Sequence, residues 1–170
     1  MRALSLRLVV LTLVGTVAAL DRAHAVAGAQ APPPYVAARD PVVGTWRLNL
    51  QRSKYYPGPA PQSEIRTYAA DGEFLKCTIQ RVDAKGRAET IAYKANYDNP
   101  YPVTGSPDYD AIKMARLDDR TAQSVLSHAG RVFGIARRVL SPDGMTMTIT
   151  LRREAEVLTN NAAFYERVSK

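Results

Sequence analysis

The sequence predicts an all-β protein, an up-and-down antiparallel barrel of about 8 to 10 strands. Three observations carry this. Segments of roughly six to ten residues recur along the chain, each closed by turn chemistry. Within the clearest segments the period is two: Met145, Met147, Ile149 and Leu151 alternate with Thr146, Thr148, Thr150 and Arg152, and Leu75, Cys77 and Ile79 alternate with Lys76, Thr78 and Gln80. Helical spacing is not sustained over any comparable length beyond residue 25. Many half-buried strands must close on themselves or stack as two sheets, and closure removes the exposed edges, so a sandwich is the competing arrangement.

The elements follow in order. Arg2 and Arg7 precede an uncharged apolar run of 13 residues, Leu8 to Leu20, and Ala23-His24-Ala25 supplies a small-x-small cleavage pattern, so residues 1–25 are expected to be a signal peptide. The run is too short to span a hydrocarbon core that needs about 20 residues, so no stable membrane span is expected after cleavage. Residues 26–41 hold Pro32-Pro33-Pro34 and Asp40-Pro41 and are expected to form an extended tether. The barrel is expected over 42–168. Its strands are read at Val42 to Leu50, Ser63 to Ala70, Glu73 to Val82, Arg87 to Ala95, Asp110 to Leu117, Thr121 to His128, Arg131 to Leu140, Met145 to Arg153 and Ala162 to Val168. Between Ala95 and Tyr109 the Tyr, Asn and Pro-rich stretch reads as a long connection. Asp71-Gly72 and Pro142-Asp143-Gly144 make hairpin turns because Gly accepts positive φ and Pro presets the preceding angle.

Composition narrows the chemistry. The 170 residues contain two histidines, one cysteine and one tryptophan, so neither a metal centre of several His and Cys nor a disulfide framework is expected. Losing Arg2, Arg7, Arg22 and Asp21 would take the formal net charge from +7 to +5. The basic residues alternate with acids and apolar residues rather than forming a stripe, which argues against nucleic-acid binding. No Gly-x-Ser-x-Gly, phosphate loop or dinucleotide fingerprint occurs, and no cofactor is expected. The remaining candidates for catalysis are His128 before a turn, Cys77 on an apolar face, and Asp98, Asp108 and Asp110 near tyrosines; no spacing brings them together. A monomer, periplasmic or secreted, is the expected form.

Gly44-Thr45-Trp46-Arg47-Leu48 on the first strand resembles the Gly-x-Trp signature that opens lipocalins, and it is similar to bacterial exported lipocalin-like domains. The Tyr-Pro-Gly-Pro-Ala-Pro loop at 56–61 and Tyr-Pro-Val-Thr-Gly at 101–105 carry the same resemblance, which extends over about residues 42–168. It implies that Trp46, with Gly44 as the other signature residue, closes one barrel end beneath a late-strand cation, with Arg167 first and Arg153 second as candidates. Phe164-Tyr165-Glu166-Arg167 resembles the closing strand of fatty-acid-binding proteins, where Tyr165 matches the tyrosine that helps hold the ligand carboxylate. The arginine expected two residues earlier is Ala163, so the fatty-acid clamp does not carry over.

If the barrel closes, period two places Trp46, Leu48 and Leu50, Leu75, Cys77 and Ile79, Ile91 and Tyr93, and Met145, Met147, Ile149 and Leu151 inside. Two readings of these residues stay open: a filled core, or the lining of a pocket for a small apolar or amphipathic molecule. On the second reading the ligand-binding residues are Leu48, Leu75, Cys77, Ile79, Ile91, Tyr93, Met147, Ile149 and Tyr165. Tyr97 and Tyr101 would join them in an aromatic rim, if their loop meets the loop of Tyr55 and Tyr56 at one open end. Three functions are therefore in play: an exported binder of a small apolar molecule, a cofactor-free barrel enzyme, and an envelope interaction module with a filled core.

Overall fold

Alternate residues of a strand point to opposite faces, so a closed sheet sends every second side chain inward. The chain does this ten times. In the computed structural model, which describes residues 35–153 and 161–169, the strands are β1 (Gly44–Leu48), β2 (Ser63–Asp71), β3 (Phe74–Val82), β4 (Ala88–Ala95), β5 (Pro100–Thr104), β6 (Ala111–Arg116), β7 (Thr121–His128), β8 (Arg131–Leu140), β9 (Thr146–Arg153) and β10 (Asn161–Ser169). Each pairs antiparallel with the next, and β1 pairs with β10 to close the barrel. The closing register sets Trp46 opposite Arg167 and Leu48 opposite Tyr165.

Turn chemistry fixes the hairpin registers. Gly72, at φ +64°, takes the first position of the two-residue loop between β2 and β3, and Asp71 pairs with Phe74. Tyr68 then lies opposite Cys77, Arg66 opposite Ile79 and Glu64 opposite Arg81, so these residues share the inner face. The up-and-down path also sorts the loops. The β1–β2, β3–β4, β5–β6 and β7–β8 connections lie at one end of the barrel, and the β2–β3, β4–β5, β6–β7 and β8–β9 connections lie at the opposite end.

β5 falls inside the stretch read as a connection. Pro100 and Pro102 lack the N–H that a ladder uses, which is why the stretch reads as non-strand. The strand survives on few pairings: Ala92 with Thr104 and Tyr93 with Val103 on one side, and Pro100, Tyr101 and Pro102 with Lys113, Ile112 and Ala111 on the other. Gly105 then makes a close approach no other residue permits, because a Cβ there would lie 2.0 Å from the Thr90 carbonyl oxygen.

Strand ends are tighter than the sequence reading. Leu50 sits in a 3-10 turn (Leu50–Arg52) and is 39% exposed, and Met145 lies in the β8–β9 turn, 50% exposed; neither faces the interior. The expected signal peptide and residues 26–34 of the expected tether lie outside the described residues. Residues 35–41 are not an extended tether. They fold onto the barrel through a 3-10 turn (Ala37–Arg39), with Ala37 and Val42 fully buried and Asp40 Oδ1 accepting from the Val42 amide at 2.9 Å. Among the described residues no helix is long and apolar enough to cross a membrane.

One barrel end is sealed. Trp46 is fully buried and its Nε1 donates to the Val42 carbonyl at 2.8 Å. The Arg167 guanidinium covers the indole, 4.0 Å from its centroid, and donates to the carbonyls of Gly144, Val43 and Pro41, each at 2.6 Å. Arg153, the second candidate for that role, lies over Phe133 instead.

Candidate functional site

The barrel is hollow toward the opposite end. Large inward side chains such as Leu75, Ile79, Ile91 and Met147 are buried in the core. Inward positions occupied by Ala122 and Ser124 on β7, Ala136 on β8 and Ala163 on β10 leave space, and a cavity of about 430 Å³ results. That volume is within the usual range for a small-molecule site. Its walls are apolar at Ile112, Leu126, Phe133, Ile149 and Leu151, and its mouth is ringed by Tyr55, Pro59, Lys85, Asp108 and Arg153.

Polar groups project into the same space, and sequence reasoning misses most of them. β2 contributes Glu64 and Arg66, β8 contributes Arg138, and β10 contributes Tyr165. The Arg66 Nε donates to Glu64 Oε1 at 2.5 Å and to the Tyr165 hydroxyl at 3.1 Å, and the Tyr165 hydroxyl donates to the same Oε1 at 2.6 Å. Burial pushes the Tyr165 hydroxyl well above its ordinary pKa, outweighing the lowering pull of Arg66, so it stays a proton donor. Burial alone would lower the Arg66 pKa, but the adjacent Glu64 raises it well above the ordinary value, so the guanidinium keeps its charge. At the mouth Arg81 Nη2 pairs with Glu89 at 2.5 Å and Arg87 Nε with Asp83 at 2.7 Å.

Arg138 reaches from the cavity toward the sealed end. Its Nη2 donates to the Tyr97 hydroxyl at 2.7 Å and lies 3.9 Å from Asp40 Oδ1, while the Tyr97 hydroxyl donates to Asp40 Oδ2 at 2.7 Å. Its Nε is buried and has no hydrogen-bond partner.

Of the residues proposed from sequence as ligand contacts, Tyr93, Ile149 and Tyr165 line this cavity. Leu48, Leu75, Cys77, Ile79, Ile91 and Met147 belong to the buried core and do not line it. The aromatic rim does not form as expected. Tyr55 and Tyr109 line the cavity, but Tyr97 and Tyr101 lie on the opposite side of the barrel, in and beside the β4–β5 connection. Tyr97 packs edge-on to Tyr35 at 4.8 Å, and Tyr101 packs on Phe74 and donates to Asp98. The reason is topological: successive connections of an up-and-down barrel alternate between ends.

The catalytic candidates are scattered. Asp108 is at the mouth, Asp98 is exposed at the sealed end, and Asp110 accepts from the Ala129 amide and lies 4.0 Å from the exposed His128. Cys77 is fully buried, and burial raises its thiol pKa, which makes it a core residue rather than a nucleophile.

No family model and no curated protein matches the chain. Among solved structures, the Schistosoma mansoni fatty acid binding protein in complex with arachidonic acid superposes with a TM-score of 0.59 at 11% sequence identity, over 78% of this chain and 99% of that one. The fold is that of the lipocalin and fatty-acid-binding-protein barrels. A redesigned β-barrel, mFAP1, bound to DFHBI, matches over 78% of this chain and 100% of that one at 12% identity, with a TM-score of 0.41 that is too low to carry an argument. At such identities the likeness fixes the path of the chain and leaves its site to be read from its own side chains. Ala163 lines the cavity at the place where the sequence resemblance expects a carboxylate-binding arginine, adding volume instead of charge.

Proposed function

We propose that this protein binds a small amphipathic molecule inside its barrel. The observation that carries the reading is the cavity of about 430 Å³, closed at one end by Trp46 and Arg167 and reached from the other. Apolar walls with a few convergent polar groups are the ordinary anatomy of a small-molecule site. The fold of a barrel solved with arachidonic acid supports the same reading. We further propose that it acts as an exported monomer in the periplasm or outside the cell, which rests on the Arg2 and Arg7 start, the apolar run and Ala23-His24-Ala25.

Native mass spectrometry of protein purified from its own host tests the binding reading, and a bound small molecule lost on denaturation is the expected result. Ligand-free protein that also fails to bind any member of a panel of amphipaths would overturn it. A cofactor-free enzyme is the second reading, favoured by the buried Glu64 carboxylate against Tyr165 inside the cavity. The binding reading is preferred because Arg66 and Tyr165 already engage that carboxylate, which leaves it poorly placed to take a proton from a substrate.

A further inference from the structure

Charge is not spread evenly around the barrel wall. Strands β2–β4 mix three acids with four Lys and Arg, whereas β6–β9 hold seven Lys and Arg and no Asp or Glu. The acids between Ala111 and Arg153, namely Asp118, Asp119 and Asp143, all fall in the turns between those strands. Register decides which of the cations reach the outside. Arg137 points away from the cavity because its neighbours Ala136 and Arg138 line it. Lys113 and Arg152 share that outward face, since Lys113 lies opposite Val125, Val125 opposite Ile135 and Ile135 opposite Arg152. All three cations are exposed, and among the described residues none of them forms an ion pair.

The same face carries aliphatic side chains in water. Ile135 is 36% exposed, Val139 39% and Val132 44%, all on β8. Adjacent strands lie about 4.8 Å apart, so Lys113 stands about 10 Å to one side of Ile135 and Arg152 about 5 Å to the other, with Arg137 between Ile135 and Val139. An aliphatic strip edged by unpaired cations is matched by a surface that is anionic outside and apolar just beneath, which describes the boundary of an acidic bilayer. A second copy of this face would set like charges together, and a protein interface usually draws on aromatic anchors, which these four strands do not point outward.

We propose that the outer wall of β6–β9 docks on anionic phospholipid, with Lys113, Arg137 and Arg152 meeting the headgroups and Ile135 and Val139 reaching the acyl boundary. The contact uses the outside of the barrel and is independent of what the cavity binds.

The test is co-sedimentation of protein purified from its own host with vesicles of phosphatidylcholine alone or with about 30% phosphatidylglycerol, at salt of about 50 mM. Wild-type protein is expected to bind the acidic vesicles at least about tenfold more tightly. Each cation near such a surface contributes about fivefold, so Lys113→Gln, Arg137→Gln and Arg152→Gln together should weaken that binding about hundredfold. Arg47, Lys54 and Lys76 are exposed elsewhere on the barrel, and the same triple change there removes equal charge but should cost less than about threefold. Ile135→Asn with Val139→Asn should cost at least about fivefold, which charge attraction alone does not predict. If the Lys113, Arg137 and Arg152 variant does not fold, judged by Trp46 fluorescence, Arg137→Gln alone should still lose about fivefold. Equal binding to both vesicles, a folded face variant with unchanged affinity, or an equal loss in the Arg47, Lys54 and Lys76 control overturns the proposal. Binding to polyglutamate in preference to the vesicles also overturns it, and makes the partner an acidic protein.

Discussion

Replacing Arg167 with Met should loosen the sealed end without touching the cavity. The guanidinium makes three hydrogen bonds to backbone carbonyls at 2.6 Å and lies 4.0 Å from the Trp46 ring centroid. A hydrogen bond from a charged donor contributes about 1.5–3 kcal/mol when buried, but this head is only partly buried, so less than about 1 kcal/mol each is appropriate. The cation over the indole adds about 1 kcal/mol. Arg167→Met should then cost about 3 kcal/mol, and a domain of this size loses roughly 3 °C of Tm per kcal/mol, so the midpoint should fall by about 10 °C. Trp46 is the sole tryptophan in the chain, so urea unfolding followed by its fluorescence reports this end directly, with circular dichroism as the independent probe. Arg167→Lys should recover only a minor part, because an ammonium cannot reach three divergent carbonyls at once. Ligand affinity should not change, since neither Trp46 nor Arg167 lines the cavity. A loss under about 1 kcal/mol, or a lysine variant as stable as wild type, would refute the account of the seal.

Other outcomes follow from the same structure. Tyr97→Phe removes a hydroxyl that bridges Asp40 and Arg138 and should cost about 1–3 kcal/mol by chemical denaturation. Tyr101→Phe, which removes a solvent-exposed hydrogen bond to Asp98, should leave the denaturation midpoint nearly where it is in the wild type. Gly105→Ala forces a Cβ to within 2.0 Å of the Thr90 carbonyl oxygen at φ +74° and should cost well over about 1 kcal/mol, visible as a lower Tm or loss of soluble protein. Burial raises the hydroxyl pKa of Tyr68, Tyr93 and Tyr165 above the ordinary 10.0. The folded state thus keeps these protons longer than the unfolded state, so their contribution is complete below pH 10.0 and is lost as pH rises beyond it. Phenolate absorbance from these three should consequently appear together with alkaline unfolding. The same sign applies to Cys77, whose buried thiol should resist a thiol reagent at pH 8 until the protein unfolds.

How far the fold is legible in the sequence depends on whether local chemistry and tertiary pairing ask for the same thing. β3 and β9 are readable because their inward residues are large and apolar and their outward ones polar, and the Asp71-Gly72 and Pro142-Asp143-Gly144 turns mark where they reverse. β5 is not, because its prolines argue against a ladder that forms only through two short pairings. Residues 35–41 are unreadable for a related reason: Pro-flanked, Ala-rich sequence has no period, and only the finished barrel end gives Ala37 and Asp40 a surface to pack against.

The site is harder to read than the fold because a hollow is made by what is small. Period two, weighted toward apolar bulk, selects the residues that fill an interior but does not tell core from lining, and Leu75, Cys77, Ile79, Ile91 and Met147 lie in the core. The cavity is left by Ala122, Ser124, Ala136 and Ala163, residue types that carry little signal at any single position. Glu64 and Arg66 are nevertheless within reach. A two-residue turn after Asp71 makes partner numbers in β2 and β3 sum to a constant, so the face that holds Cys77 and Ile79 must also hold Tyr68, Arg66 and Glu64. Two opposite charges forced onto a dry inner face must find each other or a ligand. Here they find each other: Arg66 Nε donates to Glu64 Oε1, and the Tyr165 hydroxyl joins the same oxygen, so the pair is built into the wall of the cavity.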